Sequence, residues 1–393
     1  MEPLRVGMVG VSGRGDIAQQ FHDPAHGSVV LAGMDKNCEA LDRFKQEINS
    51  EAFTTQDFDE LLASERVDAV AVASPDYTHE DYVVKALGAG MHVFCEKPMA
   101  ITTAGCDRML SAWQASGKQF MVGFNMRYMN IFRVMKDIVD AGVIGEIKAV
   151  WVRHFVGHGG EWYYHDWHGT RRNATGLLLQ KASHDIDMIH WITGRFTRRV
   201  SGIGTLAYYG GDKPDDLRCP ACELKDTCVE FQHVPDGRAN TMDMCVFRNE
   251  IDVEDHSVIL MELDGGIQAS YMQCHFAPDY WRNYTFIGTE GRVENLDDST
   301  KVVVKLRNRS RRWKNLADQV IDVKPASGGH AGADPLVCRD FVDMVTKGKR
   351  PIVTPLAGRM SVATGCAATA SIRDGSVPID IPPVPPELRS FVF

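Results

Sequence analysis

The chain is predicted to be an α/β protein of two domains. A doubly wound parallel sheet takes residues 1–123, and a large, open, mostly antiparallel sheet with helices takes 124–393. Three observations predict this. Short apolar runs alternate with helical stretches as far as Gly123, the rhythm of βαβ units. Beyond Phe124 strand patterns dominate, separated by hairpin signals such as Asp264-Gly265-Gly266. The composition, 44% hydrophobic and 24% charged over 393 residues, suits a globular protein of two-domain length.

The first strand, Val6 to Val9, runs into a glycine-rich turn and a helix from Asp16 to Phe21. A second strand, Val29 to Met34, ends at Asp35. Val67 to Ala73 is apolar throughout, as a strand buried on both faces requires. A helix from Tyr77 to Ala89 stops at Gly90, a strand follows from Met91 to Cys95, and a helix from Thr103 to Ser116 stops at Gly117. Gln119 to Gly123 closes the parallel sheet. The second domain opens with a helix, Ile131 to Ala141. Strands follow at Ile147 to His154, Val200 to Tyr209, Asp255 to Leu263, Ile267 to Cys274, Tyr284 to Gly288 and Lys301 to Leu306. A helix, Lys181 to Ile192, interrupts them. Two more, Asp334 to Val345 and Leu356 to Ile372, stand near the end and are free to pack back on the first domain. The proline-rich tail from Ile379 to Phe393 reads as extended.

The turn after the first strand carries the strongest chemical signal. Gly10, Ser12 and Gly15 occupy the three positions of a G-x-G-x-x-G pattern, with Ser12 in place of the middle glycine. Gly13 beside it offers close backbone approach instead. A strand, such a turn and a helix start place a pyrophosphate on main-chain N–H groups. Asp35 follows Gly15 by twenty residues, the spacing of a carboxylate that accepts from the adenosine ribose hydroxyls. A carboxylate there repels a 2′-phosphate, which favours NAD over NADP. Arg14 and Lys36 close by keep NADP open.

The net charge of −9 argues against nonspecific binding to nucleic acid or an anionic membrane. No apolar run has the length of a membrane span. The N-terminus enters the first strand almost at once, which leaves no room for a signal peptide, so a cytoplasmic location is expected.

Three further segments point to one active site. Glu96-Lys97-Pro98 follows a strand of the first domain, where ligands of open α/β sheets sit, and Lys97 is placed to polarise a carbonyl or to help carry a proton. The segment from Gln180 to Trp191 opens a helix. His184 is a natural general base, and Asp187 lies one turn on, placed to orient it or to bind substrate hydroxyls. Asp185 and His190 read as solvent-facing or structural. The third segment, Trp162 to Asn173, supplies Trp162, His165, Trp167, Arg171 and Arg172, a set suited to stacking on a sugar ring and bonding its hydroxyls or an anionic group. Arg171 and Arg172 equally suit cofactor phosphates or a partner subunit.

A separate cluster, Cys219, Cys222, Cys228 and Cys245, has the spacing C-x2-C-x5-C-x16-C, with His233 as an alternative fourth ligand. In a cytoplasmic protein this suggests a structural zinc ion stapling a polar loop, against four unlinked thiols in an insertion. No metal is expected at the catalytic centre.

Taken together the chain resembles the Gfo/Idh/MocA oxidoreductases, the family of glucose–fructose oxidoreductase and inositol dehydrogenase. The matching pieces, in order, are GVSGRG, Ala73-Ser74-Pro75-Asp76-Tyr77-Thr78-His79, the EKP tripeptide, VGFNMRY at 122–128, AGVIGEIKAV at 141–150, SHDIDMIHW at 183–191 and GGHAGAD at 328–334. The resemblance implies a Rossmann domain followed by an α/β domain with an open antiparallel sheet. It implies a tightly held nicotinamide cofactor, with Ser74, Pro75, His79, Glu96 and Lys97 joining the glycine turn around it. It implies hydride transfer at a secondary hydroxyl of a sugar or cyclitol, with Lys97 and His184 catalytic and Arg127 and His330 near the substrate. It also implies association into homodimers or homotetramers. One departure stands out. Many relatives carry an aspartate four residues before the histidine, and here that residue is Gln180, which cannot exchange a proton. The adjacent Lys181 is the candidate to take over part of its role, or to lower the pKa of His184 by repulsion.

The leading expectation is an NAD-dependent dehydrogenase of a carbohydrate ring. Its rival among enzymes is an oxidoreductive glycosidase, which oxidises the sugar, eliminates the aglycone and reduces the product again. A non-catalytic NAD-binding regulator is a rival of another class, opposed by the presence of both Lys97 and His184. A biliverdin-reductase-like enzyme with a flat apolar substrate is opposed by the polar Trp162–Arg172 loop.

Overall fold

The computed structural model describes residues 2–233, 242–297, 300–307 and 317–392. The chain forms two compact units. The first comprises Met1–Met129 with Ala326–Val362 and Pro382–Phe393, and the second Asn130–Pro325 with Ala363–Ile381.

The first unit is built on six strands: β1 (Leu4–Val9), β2 (Ser28–Met34), β3 (Phe53–Thr55), β4 (Ala69–Val72), β5 (His92–Cys95) and β6 (Phe120–Val122). Their order is β3-β2-β1-β4-β5-β6, and every neighbouring pair is parallel. This is the doubly wound Rossmann sheet, in which β1 and β4 flank the point where strand order reverses. Val6, Met8 and Val9 of β1 and all of β4 are buried, as two-sided coverage by helices demands. Phe21, Phe94 and Phe341 meet edge to face beside the sheet, with ring centroids 5.2 to 5.9 Å apart. Helix starts are capped by side chains: Asn37 before Cys38–Glu47, Asp57 before Phe58–Ala63 and Thr102 before Thr103–Ser116. Gly117, with φ +64°, ends the last of these. The helix expected from Asp16 instead begins as a 3-10 turn, Gly13–Ile17, and becomes α-helical only over Ala18–Phe21.

The second unit carries nine strands: β7 (Ile147–Gly157), β8 (Thr197–Thr205), β9 (His256–Leu263), β10 (Gln268–Ala277), β11 (Trp281–Gly288), β12 (Gly291–Asn295), β13 (Lys301–Leu306), β14 (Gln319–Asp322) and β15 (Ile379–Asp380). Their order is β14-β13-β12-β11-β7-β10-β9-β8-β15. Only β7 and β10 pair in parallel. The β9–β10 hairpin turns at Asp264-Gly265-Gly266, where Gly265 and Gly266 take φ +79° and +76°. One face of the sheet buries Val150, Val152, Ile259, Met261 and Tyr271. Strands β12, β14 and β15 are additions to the sequence reading. The tail is not simply extended: Ile379 and Asp380 pair with β8, and Pro386–Val392 is helical. No described helix is long and apolar enough to cross a membrane.

Candidate active site

In the first unit the glycine turn has the geometry a dinucleotide needs. Gly10 takes φ +81°, and a Cβ there would lie 2.8 Å from the Ser74 backbone. A Cβ on Gly15 would come within 2.4 Å of the Gly10 carbonyl oxygen. Both residues are therefore glycine because backbone passes against backbone. Gly13 differs: it takes φ +55° and a Cβ would meet nothing within 4 Å, so this side of the turn is open to a ligand. Asp35, just past β2, closes the turn. One carboxylate oxygen accepts from the Val11 N–H at 2.9 Å and the Ser12 hydroxyl at 3.1 Å, and the other from the Asn37 N–H at 3.0 Å.

The two cations that kept NADP open are both committed within this unit. Lys36 donates to the Gln56 carbonyl at 2.8 Å. Arg14 donates Nε–H to Glu96 at 2.8 Å and grips Asp334 with both terminal nitrogens at 2.9 Å. Glu96 thus pairs with Arg14, and its other oxygen accepts the Lys97 backbone N–H at 3.2 Å. Burial alone would favour uncharged Arg14 and Asp334. The charge of Glu96 first, with the contact to Asp334, keeps the guanidinium protonated, and the bonds from His330 and Arg14 hold the Asp334 carboxyl far below the usual range.

Behind the Ser74-Pro75 loop, the buried His79 ring stands 2.8 Å from two carbonyl oxygens, those of Ser74 and Pro98. It braces the loop after β4 against the turn after β5 that bears Lys97. Arg127 lies in a buried 3-10 turn after β6 and donates to the Ile352 carbonyl at 2.8 Å. The His330 side chain is about half exposed, and its Nδ1 is 2.8 Å from Asp334.

In the second unit a short helix, Leu177–Gln180, leads into Ala182–Thr193, on which His184 and Asp187 are both buried. The Lys181 ammonium lies over the Tyr163 ring, 5.6 Å from its centroid. Asp185 is wholly buried, not solvent-facing. It accepts from Tyr271 at 3.0 Å, from Tyr284 and from His154 at 3.0 Å, and Arg282 stands 3.4 Å away. Burial opposes ionisation of this carboxyl, but Arg282, His154 and Tyr284 hold it well below the usual range. His190 exchanges contacts with Thr197 and is structural.

The aromatic loop divides. Trp162 is exposed, and Trp167 stacks on His168 with centroids 3.6 Å apart. His165 points inward: it is buried, with its ring nitrogens 2.6 and 2.8 Å from the Met244 and Glu230 carbonyls. This setting makes it a strut under the loop, not a group presented to a sugar. Arg171 pairs with Glu254 and Arg172 with Glu250, each at 3.2 Å.

Cys219, Cys222, Cys228 and Cys245 do line one small cavity, beside His165, Phe231 and Phe247. All four are free thiols. Among the described residues, however, no three Cys, His, Asp or Glu side chains gather closely enough to hold a metal ion. The described side chains thus lend the zinc reading of this cluster no support. Burial pushes the Cys219 and Cys245 thiols up, which favours the protonated form. Cys219 instead accepts the Gln232 N–H at 3.5 Å.

Two family models cover most of the chain. One, described as an oxidoreductase family NAD-binding Rossmann fold, matches residues 4–124, and the other, its C-terminal α/β domain, matches 136–381. The chain belongs to the Gfo/Idh/MocA oxidoreductase family. YteT of Bacillus subtilis (strain 168), named as an oxidoreductase without a stated substrate, is 30% identical over 80% of this chain and 81% of its own. The inositol 2-dehydrogenase of Acidiphilium cryptum (strain JF-5) is 27% identical over 98% of both. Among solved structures, scyllo-inositol dehydrogenase from Lactobacillus casei with bound NAD(H) and scyllo-inositol superposes with a TM-score of 0.72 at 21% identity. The match covers 97% of this chain and 99% of that one. At that identity the likeness speaks for the fold.

Within this Gfo/Idh/MocA protein, sequence reading missed Asp334 in the first unit and His154, Tyr271, Arg282 and Tyr284 in the second. Asp334 sits in the GGHAGAD segment, and its spacing four residues after His330 was the available signal. The others lie on three strands, His154 on β7, Tyr271 on β10 and Arg282 with Tyr284 on β11, and nothing local in the sequence pairs those strands.

Proposed function

We propose that this protein is an NAD-dependent dehydrogenase acting on a secondary ring hydroxyl of a cyclitol or sugar. The observation that carries the cofactor choice is Asp35 closing the glycine turn, where a 2′-phosphate would meet a carboxylate, while Arg14 is held by Glu96 and Asp334. The near full-length match to an inositol 2-dehydrogenase supports the substrate class. When bound, the nicotinamide supplies the hydride acceptor or donor. In this reading His184 takes the hydroxyl proton, the Lys97 ammonium stabilises the developing alkoxide, and Asp187 orients His184 or a substrate hydroxyl. Gln180 cannot exchange a proton, so Lys181 is the neighbouring group that can. Arg127, Trp162, Trp167 and His330 are proposed to face the substrate. No observation favours the glycosidase reading.

The test is to release and identify any nucleotide from the purified protein, then to follow reduced nicotinamide on a panel of inositols, sugars and glycosides. Accumulation of NADH on one cyclitol or sugar is expected. Lys97→Ala and His184→Ala should each lower that turnover by about a hundredfold or more. Unchanged turnover in both variants would sink the assignment.

We also propose that the protein is a homodimer or homotetramer. The outer face of the nine-stranded sheet supports this: Trp151, Ile203, Val258, Leu260 and Met272 share it by strand register, and all are exposed, Ile203 to 70%.

A further inference from the structure

We propose that Arg14 is a positioning residue, not a phosphate ligand: with Glu96 and Asp334 it forms a charged hub that sets where Lys97 and His330 stand. The proposal rests on the reading of Lys97 and His330 given above.

The donors of Arg14 are directed at carboxylates. Nε–H goes to Glu96, and the two terminal nitrogens go one to each oxygen of Asp334. This is the planar fork that arginine offers and lysine does not. One cation faces two anions, so the hub presents no surplus positive charge to a pyrophosphate. Each carboxylate then passes the constraint on. Glu96 uses its second oxygen to accept the Lys97 N–H. Asp334 engages His330 through one oxygen and accepts from Asn125 Nδ2 at 2.8 Å through the other.

The backbone around Asp334 needs such an anchor. His330, Ala331 and Gly332 are three consecutive left-handed residues, with φ +49°, +52° and +80°. Two of them carry a Cβ, so the turn is strained and persists only where its surroundings hold it. Asp334, itself buried and bonded to Arg14, Asn125 and His330, is the fixed point at its end. Four segments distant in sequence, at residues 14, 96–97, 125 and 330–334, are thereby tied to one guanidinium.

The experiment uses the full chain stripped of nucleotide, in the wild type and in Arg14→Ala, Arg14→Lys and Asp334→Asn. Two quantities are read: affinity for ADP-ribose, which carries the pyrophosphate but no nicotinamide, and the 13C signal of ε-dimethylated Lys97, assigned with Lys97→Arg. A hub predicts that Arg14→Ala leaves ADP-ribose affinity within about twofold, because no charge-assisted phosphate bond is lost. It also predicts that the Lys97 signal moves in Arg14→Ala and in Asp334→Asn, and that added guanidinium ion restores it in Arg14→Ala. Arg14→Lys, which keeps the charge but not the fork, should fail to restore it. A loss of ADP-ribose affinity of about tenfold or more in Arg14→Ala, with Lys97 unmoved, would make Arg14 a phosphate ligand and overturn the proposal. Should Arg14→Ala not fold, Asp334→Asn decides it, since a neutral isostere that leaves the Lys97 signal in place breaks the hub. A wild type that binds neither ADP-ribose nor NAD would refute the dinucleotide reading and leave the Lys97 measurement standing on its own.

Discussion

His154 is held neutral by burial and by Arg282, against the pull of Asp185. Its Nε2 faces the Arg282 guanidinium, 3.1 Å from Nη2, and so must accept. The ring proton therefore sits on Nδ1 and goes to Asp185. Burial first, and the charge of Arg282 second, push the ring pKa down to about 3. Between that value and the ordinary 6.5 the unfolded chain binds more protons at this ring than the native protein does. The stability it contributes is therefore complete above pH 6.5 and is lost as pH falls toward 3, by up to about 1.4 kcal/mol per pH unit. Urea unfolding at pH 7 and pH 5 checks this: His154→Asn should show a shallower loss between the two than the wild type. Asp185→Asn is a harsher change, because it leaves Arg282 buried without its anion. A destabilisation of about 3 kcal/mol or more is expected in the same assay. Residues of this kind are hidden from sequence reading. The helix bearing His184 and Asp185 is legible from its local pattern, but which of its polar groups turn inward depends on Tyr271, Arg282 and Tyr284, and these lie 86 to 99 residues away.

At the scale of the element, the glycine turn shows how three glycines in six positions do different work. Gly15→Ala drives a methyl into a carbonyl oxygen and should cost several kcal/mol or prevent folding of the turn. Gly13→Ala adds its methyl to open space, at the cost of about 1 kcal/mol for a left-handed alanine. This variant should fold, with a thermal midpoint lowered by a few degrees and nucleotide affinity weakened, because the methyl stands where the backbone must approach the ligand. Calorimetry with NAD alongside thermal unfolding separates the two effects. Five strands of the parallel sheet are legible because buried parallel strands are written as short apolar runs, whereas β3, three residues long and only partly buried, is not. Strands β14 and β15 are not, since β14 is largely exposed and β15 is two residues long; each is made by its neighbour and not by its own pattern. The cysteine cluster teaches the converse. Its spacing brings four thiols to one cavity, yet spacing does not fix where each sulfur points.

For the whole molecule, the exposed apolar face of the nine-stranded sheet makes a concrete demand. An isolated chain would leave Ile203, Val258 and Leu260 on adjacent strands in water. Ile203→Asp with Leu260→Lys should therefore shift sedimentation from dimer or tetramer to monomer without loss of nucleotide binding. An unchanged oligomer, or a wild type that is itself monomeric, would remove this face from consideration. The two-sheet architecture is legible because the hydrophobic period changes after residue 124. The late helices are legible as helices, but periodicity leaves open which of them returns to the first unit: Gly329–Lys347 lies wholly within it, and Pro355–Arg373 is divided between the two.

That unit is stitched from three stretches of chain, and the Arg14–Asp334 contact joins residues 320 positions apart. On the ribosome, the turn that bears Arg14 is therefore made long before the residue that completes its contacts. Until residue 334 has emerged, Arg14 and Glu96 wait without their third partner, and the nascent sheet must persist through synthesis of residues 130–325. A frameshift near residue 325 would thus take Asp334 away from Arg14, a partner 320 positions earlier in the chain.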